Sequence, residues 1–474
     1  MKIHFIGIGG ISMSALAIIY RRLGHVITGS DMSIGHEMQD KLISNDIIVY
    51  EYHDEKNITN TNPELVVYTA AIPTDNQEIL ITKSQNIELV ERADFFGDFT
   101  REFEFPVAVS GTHGKTTTTA IAATVAIELG LDPTVLLGGN CDNLGQDLNF
   151  RLSESAANKY MIYEACEYVD SFLKFYAKAG IVLNIEADHL DYFEDEDAIR
   201  ESFSSFIEHI PKDGIAIVNY DDKNIRQILE SKKNSESKYI TANIVTYSVN
   251  GVNDCDYLAK NIQFDCHMNG IFDVIHQNKL LGTIKLNVKG HHNVSNSLAV
   301  ISLFHNLGMP FEKISSGISK FTGTERRIQI MTDKYQSKNC KSNQYIKIYD
   351  DYAHHPTEIR ASLTVLKKLA SGRLWCVFQS HTYSRTKKLL AQFVKSLSIA
   401  DRLITTDIYA AREINDGSIS EDDIAKRVKD AVHIPNFHAI AEYLHQNMEY
   451  GDMLVVMGAG NVLEVTGIML EQVI

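Results

Sequence analysis

The chain has 474 residues, too many for one hydrophobic core, so its length predicts two to four domains. Hydrophobic residues make up 44% of it and charged residues 22%, as in a soluble globular protein. The 61 acidic residues outnumber the 45 basic ones, and the formal net charge of −16 argues against a nucleic-acid partner, which requires a basic face.

Membrane insertion and secretion are not expected. No apolar run reaches the length of about 18 residues that a transmembrane helix requires, so we expect no membrane partner. The segment Met1–Gly10 predicts a strand followed by a glycine turn, which is unlike a signal peptide. The six cysteines are scattered without a C-x-x-C motif, which is typical of free thiols in a reducing compartment. The expected location is therefore cytoplasmic.

Short β-like runs alternate with longer helix-like runs along most of the chain, which predicts parallel sheets covered by helices and an α/β fold class. The β-like runs are Lys2–Ile6, Val26–Thr28, Leu65–Tyr68, Val107–Ser110, Lys159–Tyr163, Ile181–Leu183, Ile215–Val218, Ile346–Asp350, Trp375–Gln379, Arg402–Thr405 and Met453–Met457. Boundaries near Arg101–Glu104 and Phe321–Arg327 predict three domains, 1–103, 104–323 and 324–474. The polar residues 230–270 are predicted to form an irregular peripheral insert of the second domain.

A glycine turn follows the first predicted strand. The segment Gly7–Ser12 resembles the dinucleotide fingerprint G-x-G-x-x-G, with Ser12 in place of the last glycine. Ser30 and Asp31 lie at the end of the next strand, where an acidic residue often meets a ribose hydroxyl. The pattern admits NAD, FAD or another nucleotide diphosphate, and a plain turn that packs helix on strand is the structural alternative.

A second turn lies between the β-like run Val107–Ser110 and the helix-like run Ala120–Leu129, and it indicates an ATP-using enzyme. Backbone N–H groups at such a strand–turn–helix junction can bind phosphate oxygens, aided by the helix dipole. A lysine there suits the β/γ-phosphates, and the next hydroxyl suits Mg²⁺. The loop is shorter than the usual phosphate-binding loop because Val109 stands where its first glycine would be. The predicted cofactor-binding residues are Gly111, Thr112, His113, Gly114, Lys115, Thr116 and Thr117.

Two acidic clusters, Glu164–Glu167 and Asn184–His189, follow two further strands of the second domain. Ligands bind at the carboxyl ends of strands in an open parallel sheet, so both clusters are expected to face the lysine turn. Carboxylate oxygens and an imidazole there suit Mg²⁺, which fills its remaining positions with water and phosphate. Each cluster taken singly would be an ordinary solvated loop.

Three later motifs contain further candidate residues. Asn293 and Asn296 open a predicted helix, where they either cap it or pair with a purine edge. In the third domain, Asp350–Pro356 and Gln379–Arg385 each follow a strand and predict a substrate pocket, with Pro356 as the first residue of a helix.

Taken together, these motifs resemble the Mur ligase family of cell-wall peptide synthetases over nearly the full length. Two stretches, Phe378–Thr386 and Thr406–Glu413, resemble its L-alanine-adding branch. The motifs that appear in the family's order and spacing are Gly7–Met13, Gly111–Thr117, Glu164–Glu167, Asn184–His189, Gly290–Asn296, Phe321–Arg327 and Asp350–Glu358.

The resemblance implies a Rossmann-like N-terminal domain for the UDP-sugar, a central P-loop-type ATPase domain and a Rossmann-like C-terminal domain that closes and brings the amino acid. It implies an ATP- and Mg²⁺-dependent ligase that joins L-alanine to the lactyl carboxylate of UDP-N-acetylmuramate through an acyl phosphate, in peptidoglycan precursor synthesis. A monomer or weak homodimer is expected.

The resemblance also implies a role for each candidate residue. Lys115 would bind the β/γ-phosphates, Thr116 and Glu164 would hold one Mg²⁺, and His189 would help to hold a second. His354 would orient substrate, and Arg385 would bind a carboxylate. The remaining implied contacts are Gly7, Gly9, Gly10, Ser30, Asp31 and Tyr352 for substrate, and Asn293, Asn296, Arg326 and Asp351 for ATP.

Some positions depart from the family pattern. Thr382 stands where some alanine-adding ligases carry a second arginine, which puts recognition of the substrate carboxylate there in doubt. No lysine lies between His189 and Pro211, which argues against the branches that use a carbamylated lysine. Cys166 replaces a common aspartate, and we assign it no role.

Three other functions remain open. A recycling ligase that attaches a preformed peptide to the same sugar nucleotide shares the early motifs. An NAD-dependent oxidoreductase would explain Gly7–Ser12 but not Lys115. A catalytically inactive nucleotide-binding regulator would not need Lys115, Glu164 and His189 together.

Overall fold

Three separate sheets organise the chain, which confirms the predicted three-domain α/β fold class. The computed structural model describes residues 1–145, 147–155, 159–189, 192–233, 240–252, 254–411 and 413–471. In this described part, no helix has the length and apolar character needed to cross a membrane.

The first sheet is wholly parallel, with strand order β3-β2-β1-β4-β5. The loops after β1 and β4 leave a crevice between these neighbouring strands, because their helices lie on opposite sides of the sheet. Its strands are β1 (Lys2–Ile6), β2 (Val26–Ser30), β3 (Ile48–Tyr50), β4 (Leu65–Tyr68) and β5 (Glu88–Glu91). Its helices are α1 (Ile11–Arg22), α2 (His36–Ser44), α3 (Glu55–Thr61), α4 (Gln77–Ser84) and α5 (Arg92–Thr100).

The second sheet has ten strands in the order β15-β14-β13-β12-β11-β10-β6-β9-β7-β8. Its strands are β6 (Phe105–Ser110), β7 (Thr134–Leu136), β8 (Phe150–Arg151), β9 (Tyr160–Glu164), β10 (Ala179–Val182), β11 (Ile215–Asn219), β12 (Asn243–Ser248), β13 (Tyr257–Phe264), β14 (Asn269–His276) and β15 (Lys279–Lys289). Its α-helices are α6 (Lys115–Glu128), α7 (Glu196–His209), α8 (Lys223–Lys233), α9 (His291–Asn306) and α10 (Phe311–Lys320), and the 3₁₀ segments are Asp142–Leu144 and Tyr168–Lys174. The strands β10, β6 and β9 are parallel neighbours, so their carboxyl ends meet at one edge.

The expectation of an irregular insert over residues 230–270 is wrong. Strand β12 pairs parallel to β11, and β13, β14 and β15 continue the same sheet as an antiparallel meander. Gln277 and Asn278 connect β14 to β15 with φ values of 48° and 62°. Two left-handed residues in succession form the tight turn that matches the twist of a hairpin. Residues 234–239 and Asn253, which belong to the predicted insert, lie outside the described part of the chain.

The third sheet has the order β16-β17-β21-β18-β19-β20, with only β16 antiparallel to its neighbour. The strands β17 and β18 flank β21, so the loops after them lie on the same edge. Its strands are β16 (Gln329–Tyr335), β17 (Ile346–Asp351), β18 (Leu374–Phe378), β19 (Arg402–Thr405), β20 (Ala431–His433) and β21 (Met453–Met457). Its helices are α11 (Pro356–Leu369), α12 (Tyr383–Leu397), α13 (Phe437–Asn447) and α14 (Glu464–Glu471), with a 3₁₀ segment at Ala425–Arg427.

Helix starts show how the local sequence places the site. Helix α6 begins at Lys115, directly after Gly114, whose φ of 86° is left-handed and favours glycine. Helix α11 begins at Pro356, as predicted. Helix α9 begins at His291 after Gly290 without a side-chain cap, so the alternative that Asn293 or Asn296 caps this helix is wrong.

Close packing joins the first domain to the second. Phe96 of α5 contacts Phe175 and Tyr163 edge-on, with ring centroids 4.9 and 5.3 Å apart. A Cβ atom built on Gly97 would overlap the Lys174 carbonyl oxygen. Glycine at position 97 therefore lets α5 approach the 3₁₀ segment at backbone distance.

We predict that Gly97→Ala lowers the free energy of unfolding by about 1–3 kcal/mol, because the added methyl group forces two backbones apart. Gly467→Ala is the matched control, since Gly467 also lies in a helix, and no atom of the described residues lies within 4 Å of the place its methyl group would take. The control is expected to be neutral or stabilising by up to about 1 kcal/mol. Urea denaturation of both variants checks this, and a Gly97→Ala protein as stable as the control would contradict it.

Candidate active site

The glycine turn of the first domain is held by hydrogen bonds from the end of β2. Gly7 has a φ of 83° and donates its N–H to the Ser30 carbonyl at 2.8 Å. Gly9 donates its N–H to the Asp31 carboxylate at 2.9 Å. Gly10 is the residue before α1. The predicted residues Gly7, Gly9, Gly10, Ser30 and Asp31 thus form one unit at the crevice of the sheet.

A buried carboxylate lies behind this unit. Glu78 of α4 is 0% exposed and accepts hydrogen bonds from Ser30 at 2.5 Å and Asn57 at 2.6 Å. Rings of His4 and His53 lie 3.7 and 3.1 Å from its oxygens. Burial alone would raise the pKa of Glu78, but its contacts with His4 and His53 prevail and lower it to about 2. No local sequence pattern indicates this network, because its members come from two strands, two helices and a loop.

Since the folded pKa of Glu78 lies below its ordinary value of 4.5, its stabilisation is present above that value and is lost as pH falls toward about 2. The difference corresponds to about 3 kcal/mol. We predict that Glu78→Gln flattens this acid dependence of first-domain stability, whereas Glu88→Gln, at an exposed position of β5, leaves it intact. Hydrogen exchange of peptides from α4, measured over a range of pH and corrected for intrinsic exchange rates, gives this dependence of stability on pH. Equal acid sensitivity in both variants would refute the role of Glu78.

In the lysine turn, the Lys115 ammonium points back toward the carbonyl oxygens of the turn and toward Glu167. The Lys115 ammonium donates to the carbonyls of Gly111 at 2.6 Å and Thr112 at 3.1 Å, and to the Glu167 carboxylate at 2.9 Å. Burial would lower the pKa of Lys115, but the Glu167 charge prevails and raises it, so the ammonium stays protonated. The turn is therefore a fixed cation at the N-terminus of α6.

The loop after β10 clamps the lysine turn. The Asn184 side chain accepts from the His113 N–H at 2.8 Å and donates to the His113 carbonyl at 3.0 Å. The Thr112 hydroxyl accepts from the Glu186 N–H at 2.9 Å. A Cβ on Gly111, whose φ is 143°, would lie 2.9 Å from the Leu183 Cβ. This close approach explains why the turn needs glycine at 111.

The acidic clusters converge on this turn as expected. Thr116 donates its hydroxyl to Glu164 at 3.1 Å, and the other Glu164 oxygen accepts from the Gly138 N–H at 2.5 Å. Burial raises the pKa of Glu164, against the lowering effect of Lys115. His189 lies 3.8 Å from Glu167, the partner of Lys115. One carboxylate, Glu167, thus joins the lysine to the imidazole, a link that the sequence analysis did not assign.

A cavity of about 370 Å³ opens beside the turn, between the second and third domains. Its walls contain six of the predicted residues: His113, Gly114, Thr117, Asn293, Asn296 and Asp351. Asp351 is 2% exposed and accepts a hydrogen bond from the Ser362 hydroxyl. Burial raises the pKa of Asp351 to about 6, although the positive charge of Arg327 opposes this rise. The wall also contains Glu186, His292, Arg327 and Glu358, which lie within motifs found in the sequence but had no individual role assigned to them.

Arg326, a predicted ATP contact, does not line this cavity in its described walls. Its guanidinium binds Asp350 at 2.9 Å and the Gly458 carbonyl at 2.8 Å, and its charge lies 4.8 Å from the Tyr352 ring centroid. The neighbouring Arg327 contacts Glu358 at 3.4 Å instead. The structure therefore places Arg327, and not the predicted Arg326, in the described wall of the cavity.

A second cavity of about 340 Å³ lies where His189 faces the loop after β18. Arg385 lines it and binds Asp188 through two nitrogens at 3.0 and 2.8 Å, and His381 at 3.2 Å. The charge of Arg385 holds the pKa of Asp188 low, although burial opposes this. Thr382 has a φ of 66°, a strained conformation for a β-branched residue. Other described lining residues are Tyr168, Ala187, Ser384, Leu389, Ala411 and Glu413; Arg412, within the stretch Thr406–Glu413, lies outside the described residues.

His354 lies between the two cavities. Its Nδ1 atom is 3.1 Å from the Tyr352 carbonyl and 3.6 Å from Glu358, and its ring centroid is 5.9 Å from that of His381. Burial lowers the pKa of His354 to about 4, so the ring is neutral near pH 7. A neutral imidazole here can accept or donate a hydrogen bond without adding charge.

Fold and site together define a three-domain α/β protein in which a turn suited to binding phosphate, with Lys115 at its end, faces the carboxylates of Glu164 and Glu167. The chain belongs to the Mur ligase family. It matches the Mur ligase family catalytic domain over residues 2–104, the Mur ligase middle domain over 109–304, and the Mur ligase glutamate ligase domain over 335–460.

Individual relatives agree with this assignment. The chain is 44% identical to a UDP-N-acetylmuramate–L-alanine ligase from Clostridium botulinum over 467 residues, covering 98% of this chain and 96% of the relative. Among solved structures, it resembles the UDP-N-acetylmuramate-alanine ligase of Thermotoga maritima, with a TM-score of 0.80, 28% identity, and coverage of 100% and 99%. It also resembles a murein peptide ligase from Psychrobacter arcticus, with a TM-score of 0.73, 25% identity, and coverage of 99% and 98%.

Proposed function

We propose that this chain is an ATP-dependent ligase that joins L-alanine to the lactyl carboxylate of UDP-N-acetylmuramate through an acyl phosphate, as a step of peptidoglycan precursor synthesis. The observation that carries the proposal is the convergence of Lys115, Glu164 and His189 around one turn, through Glu167 and Thr116. The named relatives support the choice of L-alanine and of the sugar nucleotide.

The chemistry follows from a charge problem. A carboxylate is a poor electrophile, so it must first be phosphorylated. The lactyl carboxylate attacks the γ-phosphorus of ATP, which forms the acyl phosphate and releases ADP. Two anions meet in this step, so the protein contributes mainly charge neutralisation and positioning. The Lys115 ammonium supplies positive charge at the β/γ-phosphates, and the backbone N–H groups of the turn orient them. The alanine amine then attacks the acyl carbon, and phosphate leaves.

The donor set supports a magnesium site. The Thr116 hydroxyl and the buried Glu164 carboxylate present hard oxygen atoms 3.1 Å apart, which suits Mg²⁺. His189 is the proposed protein ligand of a second ion. When bound, Mg²⁺ would neutralise phosphate charge. In this proposal Asn293, Asn296 and Asp351 contact the nucleotide from the larger cavity, and Arg326 acts there only through Arg327 and Tyr352.

The remaining assignments divide the substrates between domains. Residues 1–103 bind the UDP-sugar through Gly7, Gly9, Gly10, Ser30 and Asp31, residues 104–323 bind ATP, and residues 324–474 bring L-alanine. In the third domain Tyr352 and His354 contact substrate. Arg385 would exchange Asp188 for the alanine carboxylate, because it already points into the smaller cavity. The proposed setting is the cytoplasm, where ATP is available, and the proposed state is a monomer or weak homodimer.

We predict that Lys115→Ala lowers the rate of acyl-phosphate formation at least about 100-fold, because it removes the fixed charge at the transferring phosphate. Binding of the UDP-sugar should persist, since its proposed site lies in another domain. Phosphate-release kinetics and calorimetric titration with UDP-N-acetylmuramate measure the two effects. Lys367→Ala, which removes only a partly exposed pair with Asp401, is the control. Parallel loss of both functions would contradict the two-site arrangement.

The substrate assignment is tested by ADP release with UDP-N-acetylmuramate and a panel of L-alanine, glycine, L-serine and a preformed tripeptide. We expect L-alanine to give the highest kcat/KM, because relatives that this chain matches over nearly its full length are L-alanine ligases. A preference for the tripeptide would instead identify a recycling ligase, the activity class of the murein peptide ligase that the fold resembles. No ADP release with any acceptor would refute the ligase proposal.

A further inference from the structure

Three potential metal ligands meet where the second and third domains touch. His113 comes from the lysine turn, Glu186 from the loop after β10, and His355 from the residue before α11. One ligand atom from each lies within 4.8 Å of the others. We propose that this triad is a binding site for a divalent transition metal of the Zn²⁺ class that joins the two domains. The proposal does not depend on the ligase activity.

The spacing suits such an ion. The Glu186 Oε2 atom lies 3.5 Å from His113 Nε2 and 3.7 Å from His355 Nδ1. Tetrahedral Zn²⁺ with bonds of about 2.0–2.1 Å sets its ligand atoms about 3.4 Å apart. The two measured pairs are therefore already near the required separation. The third pair, His113 and His355, has ligand atoms within 4.8 Å, so only small side-chain rotations are needed to bring them to the same separation.

Both imidazoles have an unused nitrogen. The Nε2 atoms of His113 and His355 are buried and have no hydrogen-bond partner among the described residues. His355 is 2% exposed, and its Nδ1 atom receives only a long hydrogen bond, 3.3 Å, from the Thr357 N–H. Buried unsatisfied polar atoms are costly. A metal ion would satisfy His113 Nε2 directly, and a flip of the His355 ring would place its Nε2 atom where Nδ1 now faces Glu186. Rotation of the His355 ring can present either nitrogen without breaking a strong interaction.

A supporting carboxylate is also in place. His113 Nδ1 lies 3.5 Å from the Glu358 carboxylate, opposite the nitrogen that faces Glu186. Metal-bound histidines commonly donate their other N–H to a carboxylate, which fixes the tautomer and orients the ring. Thr357 donates its hydroxyl to Glu186 Oε2 at 2.6 Å and holds the third ligand. Glu358 and Thr357 are thus positioning residues for the triad.

The donor chemistry separates this site from the proposed magnesium site. Two imidazole nitrogens and one carboxylate suit Zn²⁺ or Co²⁺, whereas Mg²⁺ prefers oxygen ligands. Glu186 and Glu358 together balance the charge of a dication. The triad shares no residue with Thr116, Glu164 and His189. His113, Glu186 and Glu358 line the larger cavity, so a bound ion would sit in its wall with an open position toward it.

The consequence is a metal-dependent tie between domains. His113 and Glu186 belong to the second domain, and His355 begins α11 of the third. An ion held by all three would slow separation of these domains. It would also order the lysine turn at the same time.

The test uses the full-length protein, stripped of metal by a chelator and titrated with Co²⁺ without nucleotide. We expect one equivalent to give the intense visible absorption of tetrahedral Co²⁺, which Zn²⁺ abolishes by displacement. His355→Asn should remove this band while keeping a residue that caps α11. Glu358→Gln should weaken Co²⁺ binding about 10- to 100-fold, as expected for a carboxylate that orients a ligand.

Controls exclude other imidazoles and thiols. His209→Asn removes an exposed histidine at the end of α7, and Cys266→Ser removes an exposed thiol; both should leave the band unchanged. Thermal melts followed by circular dichroism confirm that each variant is folded. Zn²⁺ should slow hydrogen exchange both in residues 111–114 and at the start of α11 in wild type, and not in His355→Asn. The absence of a tetrahedral band in wild type, or its persistence in His355→Asn, would overturn the proposal.

Discussion

The buried ion pair between Lys115 and Glu167 is the interaction on which the rest of the site depends. A lysine at the N-terminus of α6 adds its charge to the positive end of the helix dipole, and this is costly without a counter-charge. Glu167 supplies that charge from the loop after β9, and it also faces His189 from the loop after β10. Three parallel neighbouring strands must therefore be in register before the turn is stable.

The two domain interfaces differ in kind. The first and second domains pack through aromatic rings and a backbone contact at Gly97, as the interior of one domain would. The second and third domains meet through charges and hydrogen bonds, with Arg385 on Asp188 and Thr357 on Glu186. Polar interfaces of this kind are typical of domains that move relative to each other. We therefore expect the interface between the second and third domains to open and close more readily than the first, although the first interface also has exposed ion pairs such as Lys174 with Asp94.

Sequence patterns predicted four strands with exact bounds, and each of these strands is mostly buried. The runs Lys2–Ile6, Leu65–Tyr68, Arg402–Thr405 and Met453–Met457 were predicted with the same bounds that the structure has. The prediction failed over residues 230–270, where strands such as Tyr257–Phe264 have a partly exposed second half that carries Lys260 and Asn261. The strands of an antiparallel meander can leave much of their surface in water, so their composition resembles that of a loop. Asn278, a residue type that is common in hairpin turns, was the sequence feature that could have predicted the hairpin of β14 and β15.

The sequence by itself determined the fold class, the phosphate-type turn and the two acidic strand-end loops that face it, because each of these depends on residues close together in the chain. Only the tertiary structure decided which charges meet: Lys115 with Glu167, Arg385 with Asp188, Arg327 rather than Arg326 at the cavity, and His113 with His355. These partners are far apart in sequence, up to 242 residues for the two histidines (355 minus 113). Their meeting depends on sheet order and domain packing, which no local pattern specifies.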